Sequence, residues 1–119
     1  MPTMSKEILS GSTNGKGVKA TGTDSANAVT VHTATTGGSN ADIDEIFVYA
    51  TNTSTSQVKL TIEFGGTAVD DHIVANIPAE TTVLVVPGLI LKAGLVVKAF
   101  ASSQNVINCH GFVNRIDIS

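Results

Sequence analysis

The chain has one cysteine, no tryptophan, one tyrosine and only three prolines in 119 residues. A lone cysteine, Cys109, cannot close a disulfide within the chain, and with three histidines beside it it falls short of the ligand spacing of a zinc site. Charge is scarce as well: charged residues make up 14%, and the seven basic ones, six lysines and Arg115, are scattered along the chain. With a net charge of −3 and a pI near 5.4, no basic patch is available to follow a phosphate backbone, so a nucleic-acid partner is not expected. Long apolar runs are missing. The most apolar stretch, residues 83–91, is broken by Pro87-Gly88 and is far below the roughly 20 residues that cross a bilayer. The first ten residues contain Glu7 and no apolar core of signal-peptide length, so synthesis in a cytosol and no membrane partner are expected.

What is present is enough for one core. Hydrophobic residues reach 42% and mean hydropathy is +0.25, which suits a single globular domain and excludes a disordered chain of the highly charged kind. The apolar residues recur with period two. Val58, Leu60, Ile62 and Phe64 share one parity while Lys59, Thr61 and Glu63 share the other, the signature of a strand with one buried face. Ile46, Val48 and Ala50 alternate likewise, but Phe47 and Tyr49 make the second face of 43–51 apolar too, as in a central strand covered on both sides. Further strands are expected over 28–35, 72–77, 81–86, 89–91, 95–101 and 106–115, separated by Gly37-Gly38, the polar bridge 52–56, Gly65-Gly66, Asp70-Asp71, Pro87-Gly88 and Lys92-Ala93-Gly94.

No helical repeat of apolar positions persists, and Thr and Val stand where helices would carry Ala, Leu and Glu. The expected fold is all-β: a two-sheet antiparallel β-sandwich, of jelly-roll or Greek-key type, with a closed barrel as the alternative that periodicity does not distinguish. Residues 1–27, rich in Gly, Ser and Thr, are expected as a flexible N-terminal arm, and residues 28–119 as the domain.

Candidate chemistry is sparse. Gly11-Ser12-Thr13-Asn14-Gly15-Lys16-Gly17 has one residue too few between its glycines for a phosphate loop, and Gly17 stands where a hydroxyl would hold magnesium. Asp70-Asp71-His72 offers metal-type donors, but neighbours on a strand point to opposite faces, and an acidic turn opening a strand accounts for them. The same alternation separates Cys109 from His110 and forbids a thiolate–imidazole pair; Cys109 is expected in the core, and His32 and His110 outside it. No catalytic, cofactor-binding or metal-binding residue is assigned.

The C-terminal third carries Ile77-Pro78-Ala79-Glu80, the run from Val83 through Pro87-Gly88 to Lys92-Ala93-Gly94, Val97-Lys98-Ala99-Phe100-Ala101-Ser102, and Val106-Ile107-Asn108-Cys109-His110-Gly111-Phe112-Val113. In this it resembles small β-sandwich virion proteins of tailed bacteriophages. The resemblance implies a non-enzymatic capsid decoration (cement) protein bridging neighbouring capsomers, a homo-oligomer and preferably a trimer. Its partners would be the major capsid protein or other virion proteins, and its place the virion, after synthesis in the host cytoplasm. A tail or neck structural protein and a carbohydrate-binding receptor-recognition module are the alternatives. The lack of tryptophan counts against the latter, since sugars stack on exposed aromatics.

Removal of residues 1–25 is expected to leave the domain folded and to weaken assembly. Leu60→Asp or Ile62→Asp should destabilise the chain by several kcal/mol, because each buries an unpaired charge; a melting curve unchanged by either substitution would refute the strand over 58–64.

Overall fold

The period-two pattern of residues 58–64 becomes a strand whose alternate side chains meet a second sheet. The computed structural model describes residues 3–36 and 42–117. They form nine strands: β1 (Thr3–Ile8), β2 (Val18–Lys19), β3 (Val29–Thr33), β4 (Ile43–Asn52), β5 (Val58–Phe64), β6 (His72–Ile77), β7 (Thr82–Leu91), β8 (Val96–Ala101) and β9 (Ile107–Asp117). Two single-turn 3-10 helices, Ser25–Asn27 and Val69–Asp71, precede β3 and β6. The expected break at Gly37-Gly38 lies outside the described residues.

Two antiparallel sheets pack together as a β-sandwich. One has the order β1-β9-β4-β7, with β2 also paired to β9; the other is β3-β8-β5-β6. Four of the pairs are nested, β5 with β6, β4 with β7, β3 with β8 and β2 with β9. The chain therefore doubles back on itself at the β5–β6 turn. Successive nested pairs alternate between the sheets, so the doubled ribbon wraps around one core.

That core is built from the inward parity of each strand. Ile46, Val48 and Ala50 of β4 and Ile107, Cys109 and Val113 of β9 face Val58, Leu60 and Ile62 of β5 and Val97, Ala99 and Ala101 of β8, all buried. Each Val, Leu or Ile among them contributes about 1.5–3 kcal/mol. Small residues are needed where backbones come close. A Cβ on Gly111 would collide with the carbonyl oxygen of Phe47, so only glycine lets β9 lie flush against β4. Buried Asn52 closes the bridge between sheets: its amide nitrogen donates to the Ser56 and Ile77 carbonyls, and its oxygen accepts from the Ser54 amide and hydroxyl.

Two expectations change. The segments 81–86 and 89–91 are one strand, β7, because Pro87-Gly88 forms a bulge instead of a turn. Ile46 pairs with Leu89 and Phe47 with Pro87, leaving Gly88 as the extra residue at φ +89°, a conformation glycine adopts without strain. A second shift between Val48 and Tyr49 turns both Val85 and Val86 inward.

The N-terminal segment 1–27 is not an arm standing off a domain that starts at residue 28. All of β1 pairs with β9, from Thr3 opposite Asp117 to Ile8 opposite Phe112. Leu9, Val18 and Ala20 are buried in the core. Composition misled here because the apolar residues are few; Leu9, Val18 and Ala20 are placed inward while Met4 and Ile8 stay exposed, and β9 supplies a long edge to complete. Leu9→Ala should therefore cost about 2–5 kcal/mol by urea denaturation, and deletion of residues 1–25 should lower the melting temperature of the domain itself. An unchanged denaturation midpoint for Leu9→Ala would mean that the segment contributes nothing to the fold.

Candidate functional site

Three regions hold polar groups or exposed apolar surface in arrangements the core does not need. The first is a buried ionic knot. Asp44 shares the inward parity of Ile46 and Val48, and so does Arg115 with Val113; Asp44 is fully buried, while the Arg115 side chain stays one-third exposed. Its Oδ1 accepts from Arg115 Nε at 2.9 Å, and its Oδ2 from the second Arg115 nitrogen at 3.1 Å. Oδ2 also accepts from His32 Nε2 at 2.8 Å and from the Thr35 amide at 3.0 Å. His32 Nδ1 accepts from the Ser10 amide at 3.0 Å, which places the ring proton on Nε2. Burial pushes the Asp44 carboxyl up, but the hydrogen bonds from Arg115, His32 and Thr35 and the charge of Arg115 together outweigh it and hold the pKa below its ordinary 3.8. His32, expected outside, is 1% exposed. A local irregularity explains this: β3 shifts register between Thr30 and His32, so Val31 and His32 are both buried.

The second region lies at the end of β5, on the sheet face away from the core. Glu63 belongs to the parity expected to be wet, yet it is 1% exposed because Ser25 of the first 3-10 turn and His72 of β6 cover it. Ser25 Oγ donates to Glu63 Oε2 at 2.7 Å. His72 Nε2 lies 3.5 Å from the same oxygen and 3.2 Å from the Thr67 carbonyl, and the His72 ring meets Phe100 edge-on at 6.3 Å. Glu63 Oε1 is buried with no hydrogen-bond partner. Beside it is a cavity of about 230 Å³ lined by Glu63, Thr67, Leu95, Val96, Lys98 and three glycines. In this group the carboxylate stands between hydroxyl and imidazole. A Ser–His–acid triad needs the imidazole in the middle, so Ser25 is not activated as a nucleophile by His72. Alternation alone gave no sign that Glu63 would be buried; its cover comes from residue 25, remote in sequence.

The third region is the outer face of the first sheet. Register places Ile8, Phe112, Phe47 and Pro87 in one row across β1, β9, β4 and β7, with Lys6, Asn114, Glu45 and Ile90 on one side of it and His110, Tyr49 and Leu84 on the other. The Phe47 and Phe112 rings stack with centroids 4.7 Å apart, and Lys6 Nζ sits 4.9 Å over Phe112. Ile8, Tyr49, Leu84 and Ile90 are all exposed.

The residues singled out in the sequence are not brought together. In the segment 11–17 the amides of Gly11, Ser12 and Lys16 donate to the Val31, Leu9 and Thr13 carbonyls, and that of Gly15 to Ser12 Oγ. They are spent on the loop itself. Asp70 and Asp71 form the 3-10 turn that opens β6 at His72. Cys109 is buried and its thiol is pushed up to about 12 by desolvation, whereas His110 is exposed on the opposite face. Among the described residues no three or more His, Cys, Asp or Glu side chains gather as a metal site. Comparison with protein-family models, with curated proteins and with solved structures finds no match.

Because the folded pKa of Asp44 lies below the unfolded value, its ionised form stabilises the fold fully above pH 3.8, and that contribution is lost as pH falls through the lower folded value. Asp44→Asn should cost roughly 2–3 kcal/mol near neutral pH and make the acid limb of the stability curve shallower than in the parent chain. Parallel acid limbs for the two proteins would show that Asp44 is not held ionised by this knot.

Proposed function

We propose that the chain is a non-enzymatic structural protein of a bacteriophage virion, a capsid decoration (cement) protein. It associates as a trimer and docks on the major capsid protein or a neighbouring virion protein. The observation that carries this reading is the outer face of the first sheet. A sheet face left to water is normally polar, yet this one presents Ile8, Tyr49, Leu84 and Ile90 around the stacked Phe47 and Phe112. With strands about 4.8 Å apart and rows about 6.7 Å apart, the three rows span roughly 300–400 Å², in which Lys6, Glu45, Asn114 and His110 are interspersed with the apolar side chains. Apolar side chains gathered on this scale are often functional on a monomer's surface.

The nested pairing supports reading the connectivity as a jelly roll, a doubled ribbon wound into two sheets, an architecture used by viral capsid and lectin domains. Fold alone does not carry function; the apolar face adds the surface by which such a domain works. Many modest contacts repeated by symmetry sum to tight attachment without a deep pocket. The stacked rings set the centre of the contact, since large rigid aromatics bury much area at little entropic cost.

Native mass spectrometry should find a trimer, and Leu84→Asp combined with Tyr49→Asp should yield monomers with an unchanged circular dichroism spectrum. Both side chains point away from the core, so the loss is of association and not of folding. Purified particles should contain the parent chain and lack the double variant. A parent chain that stays monomeric at every concentration and is missing from particles would overturn the proposal.

A further inference from the structure

The cavity beside Glu63 lies on the second sheet, away from the apolar contact face, and the argument for it is independent of the role proposed above. A buried carboxylate is costly unless its oxygens receive donors, and Glu63 Oε1 receives none. Lys98, of opposite charge, stands directly across from Glu63 in the β5–β8 register. Lys98 lines the same cavity, but no ion pair joins the two among the described residues. Glu63, one of whose oxygens lacks a donor, and Lys98, for which no ion pair is found among the described residues, thus both line a space of about 230 Å³.

A cation would satisfy Glu63 and be repelled by Lys98; an anion would do the reverse. Neighbouring hydroxyl groups satisfy both, since one donates to the carboxylate while the next accepts from the ammonium. The remaining wall suits the same chemistry. Three glycines leave backbone exposed, and Leu95 and Val96 offer apolar surface to ring C–H groups. The terminal torsion of a glutamate is broad, so rotation of the carboxylate turns Oε1 toward an occupant, at the expense of the hydrogen bond that Oε2 accepts from Ser25. We propose that this cavity binds a compact polyhydroxyl ligand, of the size of a single sugar ring, held between Glu63 and Lys98.

The test is an NMR titration of the full chain with glucose, galactose, mannose and N-acetylglucosamine, with calcium chloride and ammonium chloride as separate arms. At least one sugar should produce saturable shifts confined to the amides of residues 65–67 and 94–96. Lys98→Met and Glu63→Gln should each weaken that binding on the order of tenfold, the loss of about one charge-assisted hydrogen bond. Lys98 is only half-buried, so Lys98→Met keeps the test sound if Glu63→Gln fails to fold. No saturable shift with any sugar, shifts with the salts alone, or undiminished affinity in the folded variants would each overturn the proposal; in the first case the cavity holds water.

Discussion

The carboxylate of Asp44 is fully buried and accepts four hydrogen bonds, two from Arg115 and one each from His32 and the Thr35 backbone. Those donors lie on β9, on β3 and just beyond β3, and through the other nitrogen of His32 the knot reaches the Ser10 amide. One ion therefore joins strands of both sheets and the N-terminal segment. Buried ion pairs add little net stability over apolar packing of the same shape, but removal of one partner strands the other in a dry interior. The knot accordingly acts on register. A slip of one residue in β4 or β9 would turn Asp44 or Arg115 outward and separate charges that burial requires to be together.

The same logic separates the two outer faces of the sandwich. On the first sheet a row of apolar side chains, Ile8, Phe112, Phe47 and Pro87, crosses the outer face, and Lys6 Nζ sits over the Phe112 ring. On the second sheet the end of β5 is covered by Ser25 and His72, which bury Glu63, and a small cavity lies beside it. A flat apolar surface suits a protein partner, while a recess bordered by opposite charges suits a small polar one. The two surfaces face opposite ways and are built by different strands, so occupation of one does not obstruct the other.

Much of the strand pattern was legible. Val58–Phe64 and His72–Ile77 begin and end at the expected residues, because each is bounded by Gly, Asp or Pro and alternates cleanly. Asp44 was legible in principle as a charge on an inward parity, and its partner Arg115 likewise, yet nothing local joins residues 44 and 115. His32 was misplaced because an irregularity in β3 turns two successive side chains inward, and Gly88 was read as a turn because a bulge and a bend have the same local composition. The N-terminal segment was misjudged for a different reason. Its apolar residues are too few to form a pattern, and their importance lies in where β9 puts them.

Local chemistry was enough to determine an all-β chain with two-residue alternation, because side-chain parity in a strand depends only on backbone geometry. The pairing of distant segments was not local. It required β9 to find both β1 and β4, the ribbon to close around a shared core, and residue 25 to settle over residue 63. Those choices rest on shape and desolvation between parts of the chain that are neighbours only once it has folded. For that reason the exposed apolar row, the buried knot and the cavity beside Glu63 belong to the tertiary structure.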